Sequence, residues 1–177
     1  GVPSRSSTQV ELVQRLNHDD TYEVGGSVGW STQIGNFQAL LNVETRPNYE
    51  HRESREVRIT PEGELLGTLF EENIRDQDEQ SISTNMSYGF GAHRMQLNAL
   101  FREGDFPGPV RRDFVDFVDD AAIKSIQKEM KENEESNWEL GGDYEYSFGN
   151  GSRLAFLFVA NDETRNSVRE RFLADPA

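Results

Sequence analysis

Hydrophobic and polar residues alternate along three pairs of segments, and each pair flanks a short break of turn-forming residues. The breaks lie about 57 residues apart, at 34–36, 91–94 and 149–152. Before the first break, the run YEVGGSVGWSTQ has its large side chains on one parity, at Tyr22, Val24, Val28 and Trp30. Successive side chains of a β-strand point to opposite faces, so this alternation predicts strands with one apolar and one polar face. Tight turns between such runs predict three antiparallel hairpins.

The same alternation occurs in the segment that follows each break, and in the segments that precede the second and third breaks. They read FQALLNVETR, SYGF, HRMQLNALF and WELGGDYEYSF, whereas the last return, RLAFLFVAN, is apolar on both parities because of Leu157 and Val159. Residues 8–16, TQVELVQRL, predict one leading strand. The chain is therefore expected to be all-β, with about seven antiparallel strands.

The connections between these hairpins are much longer than the breaks within them. Residues 47–80 contain ten acidic and four basic side chains, and residues 104–136 contain nine and five, so the two stretches hold −10 of the net charge of −14. Antiparallel meanders of soluble proteins usually keep all their connections short. The sequence therefore predicts two long acidic loops, at 47–80 and 104–136, at the end of the hairpins opposite the tight turns.

Each long loop contains a recognisable local pattern. REVRITPEGELLG predicts that the first hairpin continues to a turn at Pro61, Glu62 and Gly63. In the second loop, Ala122, Ile126 and Met130 recur every four residues, which predicts a short amphipathic helix over 121–135. The preceding run RRDFVDFVDD offers carboxylates to Ca²⁺ at Asp113, Asp116, Asp119 and Asp120, but its spacing is not that of an EF-hand, and a solvated acidic loop is the alternative.

The composition of the two strand faces bears on what surrounds the sheet. Water-facing strand positions usually hold Lys, Thr, Glu and Arg, whereas the polar parity here is rich in Gly, Ser, Asn and Gln. Aromatic residues cluster near the strand ends: Tyr22, Trp30, Phe37, Tyr88, Phe90, Phe101, Trp138, Tyr146 and Phe148. Two aromatic belts are typical of a bilayer-spanning barrel. The prediction is an antiparallel up-and-down transmembrane β-barrel segment with long extracellular loops; the alternative is a soluble β-sandwich or lipocalin-like barrel.

Composition narrows the classes of function. The chain of 177 residues has 34% hydrophobic residues and no cysteine, which excludes disulfide scaffolds and thiolate metal sites. No apolar run is long enough for a transmembrane helix. A pI near 4.6 argues against nucleic acid as a partner. The start, GVPSR, has neither an initiator Met nor a signal peptide, and seven strands are too few for a bacterial barrel, so we expect a partial barrel domain over 1–177.

Tight turns at one end, long acidic loops at the other and a polar lumen face resemble the TonB-dependent outer-membrane receptors. The resemblance covers most of the chain, with residues 8–59 similar to the first barrel strands, and no match to the plug domain or TonB box. It implies a place in the bacterial outer membrane among lipid and lipopolysaccharide. It also implies energised uptake of a scarce ligand, such as a siderophore, cobalamin, a saccharide or a peptide, through a plug domain and the TonB system. A passive porin and a soluble binding or adhesion module are the alternatives.

Candidate chemistry is sparse. His18, His51 and His93 fall in three different connecting segments and give no helical metal-ligand spacing, so surface positions and no metal site are expected. No catalytic or nucleotide-binding motif occurs, and neither enzyme activity nor a cofactor is expected. The charged residues on the polar parity are the ligand-facing candidates: Glu23, Glu44, Arg46, Arg102, Glu139, Asp143 and Glu145. The acidic loops are further candidates to bind divalent cations that bridge to lipopolysaccharide.

Overall fold

The computed structural model describes residues 4–119 and 121–174 of the chain. They form eight strands in one antiparallel sheet: β1 (Ser4–Leu16), β2 (Tyr22–Ile34), β3 (Phe37–Ile59), β4 (Leu65–Phe90), β5 (His93–Asp105), β6 (Val110–Val118), β7 (Ala121–Ser147) and β8 (Arg153–Ala174). None of the described residues forms a helix that is long and apolar enough to cross a membrane. The predicted all-β class with antiparallel pairing is confirmed.

The register of the first three strands places their apolar positions side by side. Val10 lies opposite Val28, which lies opposite Val43, and Trp30 lies opposite Leu41. Cross-strand neighbours project from the same side of a sheet, so these side chains share one face. On the other face, Ser7 is opposite Ser31, and their hydroxyl oxygens are 2.7 Å apart. The alternation in the sequence thus becomes an apolar face and a polar face.

Short turns close three hairpins at the breaks in the alternation. Gly35, Gly91 and Gly151 have φ values of 62°, 58° and 85°, in the left-handed region where glycine is unstrained. A fourth turn lies between β3 and β4, where the amide of Thr60 donates to the carbonyl of Glu64 over 2.8 Å and Gly63 has a φ of 91°. The predicted turn around Pro61 is therefore confirmed.

The predicted helix over 121–135 is wrong, because these residues open β7. Their partner is β6, with Asp113 opposite Ile126 and Val110 opposite Glu129. A spacing of four residues is also an even number, so Ala122, Ile126 and Met130 share one face of a strand as well as one face of a helix. Pairing with β6 supplies the backbone hydrogen bonds that a helix would otherwise make within itself.

The two long loops are also corrected, because most of their residues continue the sheet. β3 and β4 contain 23 and 26 residues and reach the turn at 60–64. β6 is an eighth strand that the estimate of about seven omitted, and β4 and β7 each pair with both β5 and β6. Pro107 and Pro109, which lack an amide hydrogen, lie in the break between β5 and β6. The acidic segments lacked clean apolar alternation, so the sequence did not reveal their pairing.

The described residues fall into two compact units. The first contains the residues up to Pro47, Asp78–Gly104 and Glu135–Arg165, and the second contains Asn48–Gln77, Asp105–Glu134 and those from Asn166 onward. Long strands pass through both, so each unit holds pieces of several hairpins.

Almost no hydrophobic side chain is buried. Among the described residues, Val110 is the one buried hydrophobic side chain, at 3% exposure. On the apolar face of the first unit, by contrast, Val10, Leu12 and Val28 are 70%, 67% and 48% exposed. A water-soluble sheet would cover such a face with a second layer, and the described residues provide none. This exposed apolar face is the main physical peculiarity of the fold.

Candidate functional site

The polar face of the first unit contains an open hollow of about 950 Å³ that spans β1 to β5. Its lining is rich in small polar and amide side chains, including Ser7, Ser31, Gln38, Ser87, Gln96 and Asn98. Hydroxyls and carboxamides both donate and accept hydrogen bonds, so such a surface suits water or a polar ligand. The sequence predicted this composition from the parity opposite the hydrophobic residues.

A second hollow of about 290 Å³ brings three predicted site residues together. Glu23, Glu44 and Arg46 line it, with Arg15 beside them. Glu23 is only 7% exposed, accepts a 3.0 Å hydrogen bond from Nδ2 of Asn17 and lies 3.6 Å from Nη1 of Arg15. This small hollow therefore presents carboxylates and guanidinium groups at short range.

The ion pairs of the small hollow continue across neighbouring strands. Nη2 of Arg46 is 2.7 Å from Oε1 of Glu44, and its Nη1 is 3.9 Å from Oε1 of Glu79. That Glu79 oxygen is in turn 3.7 Å from Nε of Arg102. Two predicted arginines on β3 and β5 thus flank a carboxylate on β4. Sequence reasoning missed Glu79 because it assigned the residue to a loop. Glu79 is an odd number of residues before Tyr88, which is on the apolar face, so a continuous strand would place Glu79 on the polar face.

The remaining predicted residues lie on β7 and do not belong to the ion pairs around Glu44 and Glu79. The side-chain amide of Gln96 is oriented with its oxygen towards Arg94, whose Nε donates to it over 3.0 Å. In this orientation the amide nitrogen of Gln96 donates to Oδ2 of Asp143 over 3.2 Å. Glu145 lies 3.6 Å from Nη1 of Arg153 on β8. Glu139 is exposed. The polar face therefore holds several separate charged groups that share a face without forming one site.

Several aromatic rings lie beside the short turns of the first unit, and the imidazole of His93 packs among them. The imidazole stacks on Phe90, with ring centroids 4.6 Å apart, and its Nδ1 is 2.6 Å from the hydroxyl oxygen of Tyr144. Tyr88 stacks on Phe90 at 5.4 Å, and Tyr146 is 4.8 Å from His93. His93 was expected at a turn surface; it is instead the first residue of β5 and extends an aromatic belt.

The second unit contains a fully buried carboxylate surrounded by cations. Glu129 on β7 has 0% exposure, and its oxygens lie 2.7 Å from Nε of Arg169, 3.2 Å from Nη1 of Arg112 and 3.3 Å from Nη2 of Arg171. Nζ of Lys131 is 3.4 Å away. The cation of Arg169, together with Arg112 and Lys131, lowers the pKa of Glu129 to about 2 although burial opposes this.

Sequence reasoning did not find this cluster. It placed Glu129 and Lys131 on a helix and Arg112 in a solvated loop. The cluster forms because β6, β7 and β8 are neighbours in the sheet. The only signal in the sequence was that charged residues recur at every second position. Glu129 and Lys131 therefore share one face of β7, and Arg169 and Arg171 share one face of β8.

The calcium candidates in RRDFVDFVDD do not converge. Asp113 and Asp116 differ in parity and therefore point to opposite faces of β6. Asp113 accepts a 3.1 Å hydrogen bond from Arg111, and Asp116 pairs with Arg58. Asp119 follows β6 with a φ of 48°, and Asp120 lies outside the described residues.

A scan against protein-family models gives no match for this chain, and a search of curated proteins finds no significant match.

Proposed function

We propose that this chain is part of an outer-membrane β-barrel of a receptor or transporter, in which the apolar face meets lipid and the polar face lines an aqueous path. The observation that carries the proposal is the exposed apolar face, on which Val10 and Leu12 remain about two-thirds exposed or more, at 70% and 67%. A bilayer supplies an apolar surrounding for such a face and requires every backbone polar group to be paired, as strands in a closed barrel are.

Strand length and the aromatic row support the same proposal. A transmembrane strand needs roughly 9–11 residues, and even the 13-residue strands β1, β2 and β5 satisfy this. The rings of Tyr88, Phe90, Tyr146 and Phe148 lie beside the short turns, where an interfacial belt is expected. The much longer β3, β4 and β7, with 23, 26 and 27 residues, would extend beyond the hydrocarbon layer into water.

The ligand path of the proposal is the polar face. Its carboxylates are largely paired with arginines, as for Glu44 with Arg46, so a bound ligand would exchange existing hydrogen bonds for new ones. Uptake driven by TonB through a plug domain is the specific mechanism suggested by the resemblance to TonB-dependent receptors. Under this proposal the chain acts by binding and passage of a ligand, without catalysis.

Two adjacent substitutions in β5 test the proposal. Leu97→Arg places a charge on the apolar face, where an arginine near the bilayer midplane costs roughly 2–4 kcal/mol, whereas Asn98→Arg places the same charge on the polar face. We expect Leu97→Arg to abolish or strongly reduce assembly into outer-membrane vesicles and Asn98→Arg to leave it nearly unchanged, measured by heat-modifiable mobility and protease protection. Equal assembly of both variants would contradict a lipid-facing role for Leu97 and favour a soluble β-sheet binding module.

A further inference from the structure

Three potential metal ligands converge on the β3–β4 hairpin of the second unit. His51 and Glu53 are two residues apart on β3 and so share a face, and Glu72 reaches them from β4. Nε2 of His51 is 3.1 Å from Oε1 of Glu72 and 3.8 Å from Oε1 of Glu53. One ligand atom from each side chain lies within 4.8 Å of the other two.

These separations match the ligand spacing of a small divalent cation. Zn²⁺ binds nitrogen and carboxylate oxygen at about 2.0–2.2 Å in tetrahedral geometry, which places neighbouring ligand atoms roughly 3.3–3.5 Å apart. The two His51 distances, 3.1 and 3.8 Å, lie on either side of that value. The carboxylate oxygens of Glu53 and Glu72 lie within 4.8 Å of each other, so all three side chains can reach one ion.

The number of hydrogen-bond donors also favours a cation. Nε2 of an imidazole carries at most one hydrogen, so it cannot donate fully to two carboxylates. Arg111 lies opposite Glu72 across the β4–β6 pairing, where its Nε donates to Asp113 over 3.1 Å and its charge also attracts Glu72. A divalent cation would interact favourably with Glu53 and Glu72 together while taking the imidazole nitrogen as a ligand.

The exposure of the three side chains indicates what kind of site this is. The side chain of His51 is 14% exposed, that of Glu72 is 31% exposed and that of Glu53 is 56% exposed. A structural zinc site is closed by four protein ligands, whereas a site with three protein ligands and an accessible side keeps a position for water or another ligand. The arrangement on β3 and β4 is of the second, exchangeable kind.

We propose that His51, Glu53 and Glu72 form a binding site for Zn²⁺ or a similar divalent transition-metal cation. An imidazole with two carboxylates suits these metals, whereas Mg²⁺ and Ca²⁺ prefer sets made of oxygen alone. The site revises the expectation of no metal. Its spacing was visible as an alternating His-Arg-Glu on one strand, but Glu72 could be added only once β4 was known to pair with β3. The proposal rests on this hairpin and does not depend on the membrane assignment.

Titration of the full chain with Zn²⁺ tests the proposal, in detergent or in buffer, whichever keeps the chain monodisperse. We expect His51→Gln to weaken Zn²⁺ binding by about 100-fold, and Glu53→Gln and Glu72→Gln by about 10-fold or more each, while Ca²⁺ and Mg²⁺ bind far more weakly than Zn²⁺. Co²⁺ should give the intense visible absorption of a tetrahedral complex in the wild type and lose it in His51→Gln.

Matched controls separate this site from other histidines and from misfolding. His18→Gln and His93→Gln should leave Zn²⁺ affinity within about twofold of wild type, as should Glu56→Gln, whose side chain is exposed on the opposite parity of β3. The far-ultraviolet circular dichroism of each variant verifies the fold. Unchanged Zn²⁺ affinity in a folded His51→Gln variant, or no Zn²⁺ binding by the wild type at millimolar concentration, would overturn the proposal. Either result leaves the comparison of Leu97→Arg with Asn98→Arg unaffected.

Discussion

Glu129 holds several strands together through ion pairs, in a sheet whose described residues bury almost no hydrophobic side chain. It is fully buried, yet it contacts Arg112, Lys131, Arg169 and Arg171. A buried charge is tolerated only where partners replace the lost water, and here cations on β6, β7 and β8 do so. The carboxylate therefore joins three strands of the second unit.

The depressed pKa of Glu129 gives this contact a defined pH dependence. Its pKa falls from an ordinary 4.5 to about 2 in the folded chain. The stabilisation is therefore complete above pH 4.5, decreases as the pH falls towards 2 and is absent below that value. We expect Glu129→Gln to cost about 2 kcal/mol of local stability at neutral pH, because hydrogen bonds to a charged group are lost, and to cost little at pH 2.

Hydrogen exchange of the β7 amides, followed from pH 6 to pH 2 with correction for the intrinsic rate, measures this effect. Glu132→Gln is the control, since that carboxylate is exposed on the opposite parity of β7. A constant difference between wild type and Glu129→Gln across the whole pH range would show that the ion pairs do not stabilise the unit.

At the scale of elements, the close approach of β1 and β2 depends on a residue without a side chain. A Cβ added at Gly26 would overlap the carbonyl oxygen of Glu11, which is part of the β1 backbone. At Gly29, three residues further on, the nearest atom to an added Cβ is Oδ1 of Asn42 at 3.5 Å, an ordinary contact.

We therefore expect Gly26→Ala to destabilise the β1–β2 pairing by about 1–3 kcal/mol, because the backbone must shift, and Gly29→Ala to change it by less than about 0.5 kcal/mol. Hydrogen exchange of the β1 amides and the thermal unfolding temperature measure the difference. Equal protection in the two alanine variants would mean that β1 and β2 do not approach as closely as the structure indicates.

The strands of the first unit were accessible from the sequence because period-2 alternation is a local signal. Tyr22 to Trp30 illustrates this: the parity identifies the strand, and glycines mark the turn that follows. The second unit was not accessible in the same way. Its strands mix polar and apolar residues on both parities, so residues such as Arg112 gave no periodic signal. The spacing of Ile126 fits a helix and a strand equally well.

The candidate sites followed the same division. Glu44 and Arg46 were found because parity alone places both on the polar face. Glu79, Glu72 and Arg169 were missed because their roles depend on which strands are neighbours. Such pairing is decided by tertiary contacts that no single stretch of sequence specifies.

At the scale of the whole molecule, the apolar surface predicts behaviour in solution. Exposed apolar patches of this kind drive association in water, and Leu12 is one of many such side chains, at 67% exposure. We expect the purified chain to self-associate in buffer without detergent and to become dispersed above the critical micelle concentration, as measured by size exclusion with light scattering. A monodisperse, detergent-free monomer with a cooperative melt would instead favour the soluble β-sheet module.

The order in which the strands pair has a kinetic consequence. With β5 and β6 counted as one interrupted strand, every strand of this sheet pairs with its neighbours along the chain. Closing a short loop costs little entropy, so each hairpin can begin to pair at its own turn. Pairing then extends along the two strands one residue pair at a time, and no distant segment is needed first. The sheet can therefore be assembled one hairpin at a time, in the order in which a chain emerges during synthesis or insertion.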